Sequence, residues 1–114
     1  MRILLEKNEK LKCIQESMSS VKDIEILEGN ILEDDNNLKY DLLIIYCDTI
    51  EDISKYKNVD IQNVLIATNN MDTKFLYTAI MMLKPLDIIG IDLNMHAVYV
   101  RISSNIEFLK ENNL

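Results

Sequence analysis

The chain has 114 residues, of which 48% are hydrophobic and 27% are charged, and its formal net charge is −7. This size and composition are typical of one globular domain, so we expect a single domain over 1–114. The acidic balance argues against nonspecific nucleic-acid binding and against docking on an anionic membrane. No apolar run reaches the roughly 20 residues of a membrane span and no signal peptide is recognisable, so we expect a cytoplasmic protein without membrane contact.

Cysteine and histidine are too sparse to build a zinc site or a disulfide framework. Cys13 and Cys47 lie far apart in apolar patterns, which favours buried, reduced thiols. His96 is the single histidine and has no cysteine or histidine at ligand spacing. We therefore expect neither a metal ion nor a cofactor.

The amino-terminal part begins with a predicted strand, a helix and an edge strand. Residues 2–5 form an unbroken apolar strand, and Asn8 can cap a helix over 9–19. One face of that helix is apolar at three- and four-residue steps, with Leu11, Ile14, Met18 and Val21. Alternation over 23–27 predicts an edge strand, and 31–37 starts as a weak helix before becoming an acidic, solvated loop.

An unbroken apolar run over 41–47 is the centre of the pattern. A half-buried strand would alternate, so this strand is predicted to be covered on both faces, as in a parallel sheet. Asp48 follows at the carboxyl end of the strand, where open α/β sheets place their sites. Thr49 can cap the next helix, whose apolar face would hold Ile50, Ile53 and Tyr56.

The carboxyl-terminal part continues the alternation of strand and helix. Residues 64–68 form a fourth buried strand, and Asp72 can cap a helix over 73–83 that Pro85 stops. Residues 86–91 form a fifth strand. A final group of apolar residues falls at helical spacing: Met95, Val98, Tyr99, Ile102, Ile106 and Leu109.

This last spacing predicts a helix over 95–111, although 97–102 could form a strand on propensity. Five strands are thus separated by segments long enough for crossover connections. They predict a flavodoxin-like three-layer α/β sandwich, with a five-stranded parallel sheet in the order 2-1-3-4-5 and helices on both faces.

Four stretches carry a family resemblance. Residues 2–9 look like a first strand with its acidic turn, and 28–45 like the approach to a phosphorylated strand. Residues 64–68 look like a fourth strand that ends in a switch threonine, Thr68, and 75–89 continues the pattern. Together they resemble the receiver domain of two-component response regulators, in particular receivers that precede LytTR-type DNA-binding domains. The resemblance implies signal transduction or transcription regulation, with DNA contacted only through an effector domain that this sequence does not contain.

The sequence differs from the receiver pattern at the residues that an active receiver needs for its chemistry. A receiver holds Mg²⁺ with paired carboxylates after its first strand, whereas here Glu6 is followed by Lys7 and Asn8. Tyr46 stands where the phospho-accepting aspartate is expected. The lysine of the fifth strand would fall near Gly90 or Ile91, and neither can pair with a phosphate. The resemblance therefore implies a receiver without its phosphoryl chemistry.

Thr68 matches the pattern, and Asp48 is the alternative acceptor. Asp48 follows Tyr46 by two residues and would point to the same side, about 6–7 Å further out, which is too far for a pre-formed pocket. We therefore interpret Asp48 as a helix cap beside Thr49. The predicted degenerate phosphorylation pocket contains Glu6, Lys7, Asn8, Tyr46, Asp48 and Thr68.

The helix over 73–83 is apolar almost all round. Its core face is predicted to hold Phe75, Leu76, Ala79, Ile80 and Leu83. A helix that is hydrophobic on every side must be covered, by the termini, the last helix or a partner. In the family, the surface of the fourth and fifth helices is a usual dimer contact, which favours a homodimer or a partner protein. The predicted interface residues are Tyr77, Met81 and Met82.

The function predicted from these residues is that of a non-catalytic pseudo-receiver that works by protein–protein contact. A phosphorylatable receiver that uses Asp48 is one alternative, and a small scaffold or phage-type inhibitor with the same fold is another. A third is a truncated Rossmann-type methyltransferase-like domain, in which Glu6 would bind ribose hydroxyls and Asn30 would lie by the adenine. That alternative lacks the glycine-rich first turn, since the chain holds only Gly29 and Gly90.

Overall fold

The computed structural model describes residues 1–33, 39–92 and 94–113. Strands and helices follow one another along these residues. In chain order they are β1 (Arg2–Glu6), a 3-10 helix (Glu9–Leu11), α1 (Lys12–Met18), β2 (Glu25–Gly29), β3 (Leu42–Tyr46), α2 (Ile50–Ser54), β4 (Val64–Thr68), α3 (Thr73–Leu83), β5 (Asp87–Gly90) and α4 (Met95–Asn113).

The five strands form one sheet in the order β2-β1-β3-β4-β5, and each neighbouring pair is parallel. Ile3 of β1 pairs with Leu42 of β3, and Leu43 of β3 pairs with Val64 of β4. The predicted fold class, strand order and edge position of β2 are confirmed. Because all the strands run the same way, their carboxyl ends meet along a single edge.

Each face of the sheet is covered by two helices, which explains why the central strands read as unbroken apolar runs. Ile3 and Leu5 of β1 pack in a core with α1 and α4, whereas Leu4 packs in a second core with α2 and α3. The long last helix is confirmed, and the strand alternative for 97–102 is wrong. The helix buries the predicted stripe of Val98, Ile102, Ile106 and Leu109.

Two element boundaries differ from the prediction for local reasons. The second strand begins at Glu25 instead of residue 23, because Asp23 adopts a φ of 65°, which a strand cannot accommodate. The turn over 31–33 replaces the predicted weak helix, with the Glu33 amide donating to the Asn30 carbonyl at 3.0 Å. Most of the predicted acidic loop, 34–37, lies outside the described residues.

The predicted helix caps at Asn8, Thr49 and Asp72 are confirmed. The Asn8 side chain accepts from the Lys10 amide at 2.9 Å, and the first turn there is a 3-10 helix. Thr49 and Asp52 form a reciprocal capping box at α2. The Asp72 carboxylate accepts from the amide of Phe75, the third residue of α3, at 3.4 Å.

Three side chains are more exposed than predicted. Cys13 is exposed because it lies on the side of α1 turned away from the buried stripe, whereas Cys47 is buried as predicted. Ile50, the first residue of the short helix α2, is 38% exposed, and Ile80 on α3 is 53% exposed. No helix in the described part of the chain combines the length and apolar character needed to cross a membrane.

Candidate functional site at the carboxyl edge of the sheet

Four of the predicted pocket residues meet where β1, β3 and β4 end. We call this group, Glu6, Tyr46, Asp48 and Thr68, the sheet mouth. Glu6 ends β1, Tyr46 ends β3 and Thr68 ends β4. Their carboxyl ends are adjacent because these strands are neighbours in the parallel sheet. A chain of hydrogen bonds joins Glu6 to Tyr46, Tyr46 to Asp48, and Asp48 to Thr68.

Both carboxylate oxygens of Glu6 are occupied by donors of the same chain. Oε1 accepts from the Tyr46 backbone N–H at 3.1 Å and from the Asn8 side-chain amide at 3.5 Å. Oε2 accepts from the hydroxyl of Tyr56, whose side chain is buried. Burial, followed by this hydrogen bond and the charge of Glu6, raises the pKa of Tyr56, so the hydroxyl stays a donor. Ribose hydroxyls, which the methyltransferase alternative requires at Glu6, would have to compete with these donors.

Lys7 and Asn8 follow Glu6 and make different contacts. Lys7 is exposed, and its backbone N–H donates to the Gly29 carbonyl of β2 at 3.0 Å. Asn8 caps the first helical turn while its side-chain amide reaches Glu6. At the position of a receiver's second carboxylate, this chain has the amide of Asn8, which donates to Glu6. Glu6 and Asn8 therefore do not form the pair of carboxylate ligands that holds a divalent cation.

Asp48 accepts hydrogen bonds from three donors at the sheet mouth. Its Oδ1 accepts from the Thr68 hydroxyl at 3.0 Å and from the Asn69 amide at 2.8 Å, and its Oδ2 accepts from the Tyr46 hydroxyl. The interpretation of Asp48 as a helix cap is wrong, since Thr49 alone caps α2. Asp48 contributes only its backbone N–H there, at 3.0 Å from the Asp52 carboxylate.

These donors keep the Asp48 carboxylate ionised. Burial alone would raise its pKa, but hydrogen bonds from Tyr46, the Asn69 backbone and Thr68 outweigh burial and lower the pKa below its ordinary value. The weakest contribution in the same direction comes from the charge of Lys10. The partner group responds in the opposite sense, because burial followed by the hydrogen bond to Asp48 raises the pKa of Tyr46 to about 12.

Sequence reasoning missed two groups that complete the site, Tyr56 and the asparagine pair after β4. The sequence pattern predicts Tyr56 on an apolar helix face, and only its hydroxyl distinguishes it from a core phenylalanine. The pattern predicts a turn at Asn69, yet the Asn69 side-chain amide donates to the Tyr46 hydroxyl at 3.1 Å. The Asn70 side chain donates to the Asp48 carbonyl at 2.7 Å. The signal in the sequence was the run of two asparagines beside a predicted switch threonine.

Gly90 stands at the strand position expected for a receiver's lysine, and the space beside it is occupied by a side chain from another segment. Gly90 ends β5 and pairs with Thr68 of β4. A Cβ built on Gly90 would clash with the methyl group of Met71, which comes from the loop between β4 and α3. Met71 thus occupies the space in which a side chain from position 90 would begin, and the sheet mouth has no cation from β5.

The described residues offer no set of metal ligands at this edge. Among residues 1–33, 39–92 and 94–113, no three acidic, histidine or cysteine side chains cluster as metal ligands would. The buried thiol of Cys47 lies beneath the mouth, and burial, followed by the charge of Glu6, raises its pKa, so it is not a thiolate nucleophile. The residues present do not fit the Mg²⁺ of a receiver.

The predicted interface residues lie on the outer side of α3. We call Tyr77, Ile80, Met81 and Met82 the α3 surface. Tyr77 is 65% exposed, Met81 59% and Met82 37%, and Ile80, which was predicted to lie in the core, joins them. An apolar groove between α3 and β5 continues this surface, lined by Met71, Leu76, Ile80, Pro85, Leu86, Asp87 and Ile88.

Solved receiver structures share this fold across nearly the whole chain. The signal receiver domain of a modulated diguanylate cyclase from Desulfovibrio desulfuricans is 12% identical, with a TM-score of 0.68 and 98% of each chain covered. A response regulator receiver protein from Pseudoalteromonas atlantica is 13% identical, with a TM-score of 0.68 and 94% of this chain and 98% of that one covered. A CheY-like response regulator protein from Mesorhizobium loti is 7% identical, with a TM-score of 0.61, covering 91% of this chain and 97% of that one.

No protein-family model and no curated protein matches the sequence. At identities this low, the structural similarity establishes the fold alone. The chain has the flavodoxin-like fold of CheY-like receiver domains.

Proposed function

We propose that this chain is a single receiver-like domain over 1–114 that accepts no phosphoryl group and acts in signal transduction by protein–protein contact. The proposal depends above all on the state of Asp48, the acid that lies closest to the expected acceptor position at Tyr46. Both of its oxygens already accept hydrogen bonds from the chain's own donors. Donors on both oxygens stabilise the anion and make it a weaker nucleophile toward phosphorus.

The surrounding charges support the same conclusion. Phosphoryl transfer depends on cations positioned around the equatorial oxygens of the transferred group. Glu6 is held by Tyr56 and by backbone and amide donors, and Gly90 brings no cation from β5. Lys10 lies close enough to influence Asp48, but it belongs to the first helical turn and replaces neither the metal nor the lysine.

Beryllofluoride, an analogue of a bound phosphoryl group, tests this part of the proposal. In the presence of Mg²⁺ we expect no saturable change in the backbone resonances of Asp48, Thr68 and Asn69. A saturable, Mg²⁺-dependent change at these residues would contradict the proposal and establish the phosphorylatable alternative. The same titration of Asp48→Ala provides the control, because a change that persists without the carboxylate reflects binding elsewhere.

The α3 surface supplies the contact in this proposal. It places four large apolar side chains in solvent on one helix, and methionine and tyrosine are enriched at protein interfaces. The occupant we propose is a second copy of the chain or a partner protein in the cytoplasm. DNA would be reached only through an effector domain outside this sequence, in keeping with the net charge of −7.

Sedimentation velocity over a range of concentrations tests the homodimer. We expect the wild-type chain to associate reversibly at micromolar concentrations, and Tyr77→Glu to be monomeric because it places a charge at the centre of the contact. Ser20→Glu adds the same charge at an exposed position after α1, on the opposite side of the sheet, and should associate like the wild type. Wild-type protein that stays monomeric throughout would refute the homodimer.

A further inference from the structure

The loop between β4 and α3 is tied to Asp48 by consecutive hydrogen bonds. The Thr68 hydroxyl and the Asn69 amide donate to the Asp48 carboxylate at 3.0 and 2.8 Å. The Asn70 amide donates to the Thr68 hydroxyl oxygen at 2.9 Å, and the Asn70 side chain donates to the Asp48 carbonyl at 2.7 Å. Thr68 is fully buried, so its hydroxyl has no competing solvent partner.

The same series of bonds continues into the amino terminus of α3. The Asn70 side-chain oxygen accepts from the Asp72 amide at 2.9 Å. The Asp72 carboxylate then accepts from the Phe75 amide at 3.4 Å and caps the helix, and the Phe75 ring is buried in the core. The position of the helix that carries the α3 surface is therefore linked, bond by bond, to one carboxylate at the sheet mouth.

We propose that the Asp48 carboxylate stands in for a phosphoryl group, holding Thr68 and the loop 69–72 permanently in one arrangement and so presenting the α3 surface without a covalent signal. The inference rests on the proposed function, because it requires the α3 surface to be a contact surface. It adds the regulation of that surface, which would be constitutive.

The chemistry of the groups supports this substitution. A carboxylate and a phosphoryl group are both anions that accept hydrogen bonds from hydroxyl and amide donors. The resemblance implies that Thr68 is the switch threonine of the fourth strand, and here its hydroxyl donates to an anion at position 48. Tyr46 carries no negative charge, and its hydroxyl adds a third donor to Asp48. The anion has thus moved two residues along the chain, while the donors it engages remain those of the sheet mouth.

An ordinary loop-stabilising aspartate would have a different consequence. Its removal would loosen the loop 69–72 only, and would leave the start of α3 and association through the α3 surface unchanged. The proposed role instead predicts an effect on both the loop and the start of α3, together with a change in association.

Hydrogen exchange at the start of α3, measured together with association, separates the two cases. In Asp48→Ala we expect the amides of 69–76 to exchange about ten- to a hundredfold faster, which corresponds to the loss of hydrogen bonds to a charged acceptor. Amides of β1 and β3 should keep their wild-type rates. Association measured on the same samples should weaken. Asp41→Ala is the matched control, because Asp41 accepts from the Arg2 amide at 2.8 Å at the opposite end of the central strand. It should leave 69–76 unchanged.

Unchanged exchange over 73–76 in folded Asp48→Ala would overturn the inference, as would acceleration spread evenly over the domain. If Asp48→Ala does not fold, Thr68→Val replaces it, since valine keeps the shape of the buried side chain and removes the hydroxyl. It should speed exchange in the same segment. Failure of the proposed function gives a different result, because a monomeric wild-type protein refutes the contact while the exchange data still test the role of Asp48.

Discussion

Removal of the Tyr56 hydroxyl tests how the acidic end of β1 is stabilised. Tyr56 is 3% exposed, and its hydroxyl donates to Glu6. Tyr56→Phe keeps the packed ring and deletes one hydrogen bond to a charged acceptor, which costs about 1.5–3 kcal/mol. Glu6 is only partly buried, so water can take over part of that bond. We therefore expect the free energy of unfolding to fall by about 1.5–2 kcal/mol.

Urea unfolding measures this loss directly, and thermal unfolding provides an independent estimate. For a domain of 114 residues, a loss of that size lowers the Tm by about 6–8 °C. Tyr77→Phe is the matched control, because Tyr77 is 65% exposed, and should lie within about 0.5 kcal/mol of the wild type. Glu6→Gln completes a double-mutant cycle, in which the coupling of Tyr56 and Glu6 should be about 1 kcal/mol or more.

A Tyr56→Phe variant as stable as the wild type would refute the reasoning. So would a coupling energy near zero, since the two side chains would then act independently. In either case the Tyr56 hydroxyl would be a weak competitor for Glu6, and the poor fit to Mg²⁺ would lose that support.

Two further outcomes are expected. The pKa of Tyr46 is raised to about 12, and that of Tyr56 is also raised, whereas an unfolded tyrosine ionises near pH 10. The free energy of unfolding that these tyrosines contribute is therefore fully present below pH 10 and is lost as the pH rises above it. The loss is at most about 1.4 kcal/mol per pH unit for each tyrosine. Urea unfolding between about pH 9 and 11.5 should show this decline, and a shallower one in Tyr46→Phe; an equal slope in both would contradict it. Gly90→Lys should cost about 1 kcal/mol, at the low end for overpacking, because the Met71 side chain is flexible and half-exposed, and should not confer a response to beryllofluoride. A response would show that the lysine alone was missing.

The fold could be predicted from hydrophobic periods because the two faces of the sheet are both covered. Residues 42–46 and 64–68 read as unbroken apolar runs for that reason, and the strand order follows from crossover geometry. Local propensity failed where the backbone departs from its usual region, as at Asp23, with its positive φ. It was also ambiguous over 97–102, where the packing of an apolar stripe against β5 and the sheet decided for helix.

The site was predicted less well, because the two-residue alternation of a strand no longer gives the direction of a side chain beyond the end of that strand. The distance argument for Asp48 assumed extended geometry beyond Tyr46, but β3 ends there and the chain turns toward Thr49. The Asp48 carboxylate could therefore reach Thr68. Spacing placed the correct residues at one edge of the sheet, whereas their partners depended on tertiary contacts between different elements.

Glu6 and Asp48 place two negative charges at the sheet mouth, and their repulsion destabilises the fold unless other groups compensate it. A receiver meets this cost with a metal ion. Here each carboxylate has its own tyrosine hydroxyl, Tyr56 for Glu6 and Tyr46 for Asp48, together with a backbone amide. In this arrangement neutral donors compensate the charges without a cation. The proposed lack of phosphoryl transfer and the proposed constitutive arrangement of the loop before α3 would both follow from this use of tyrosine donors.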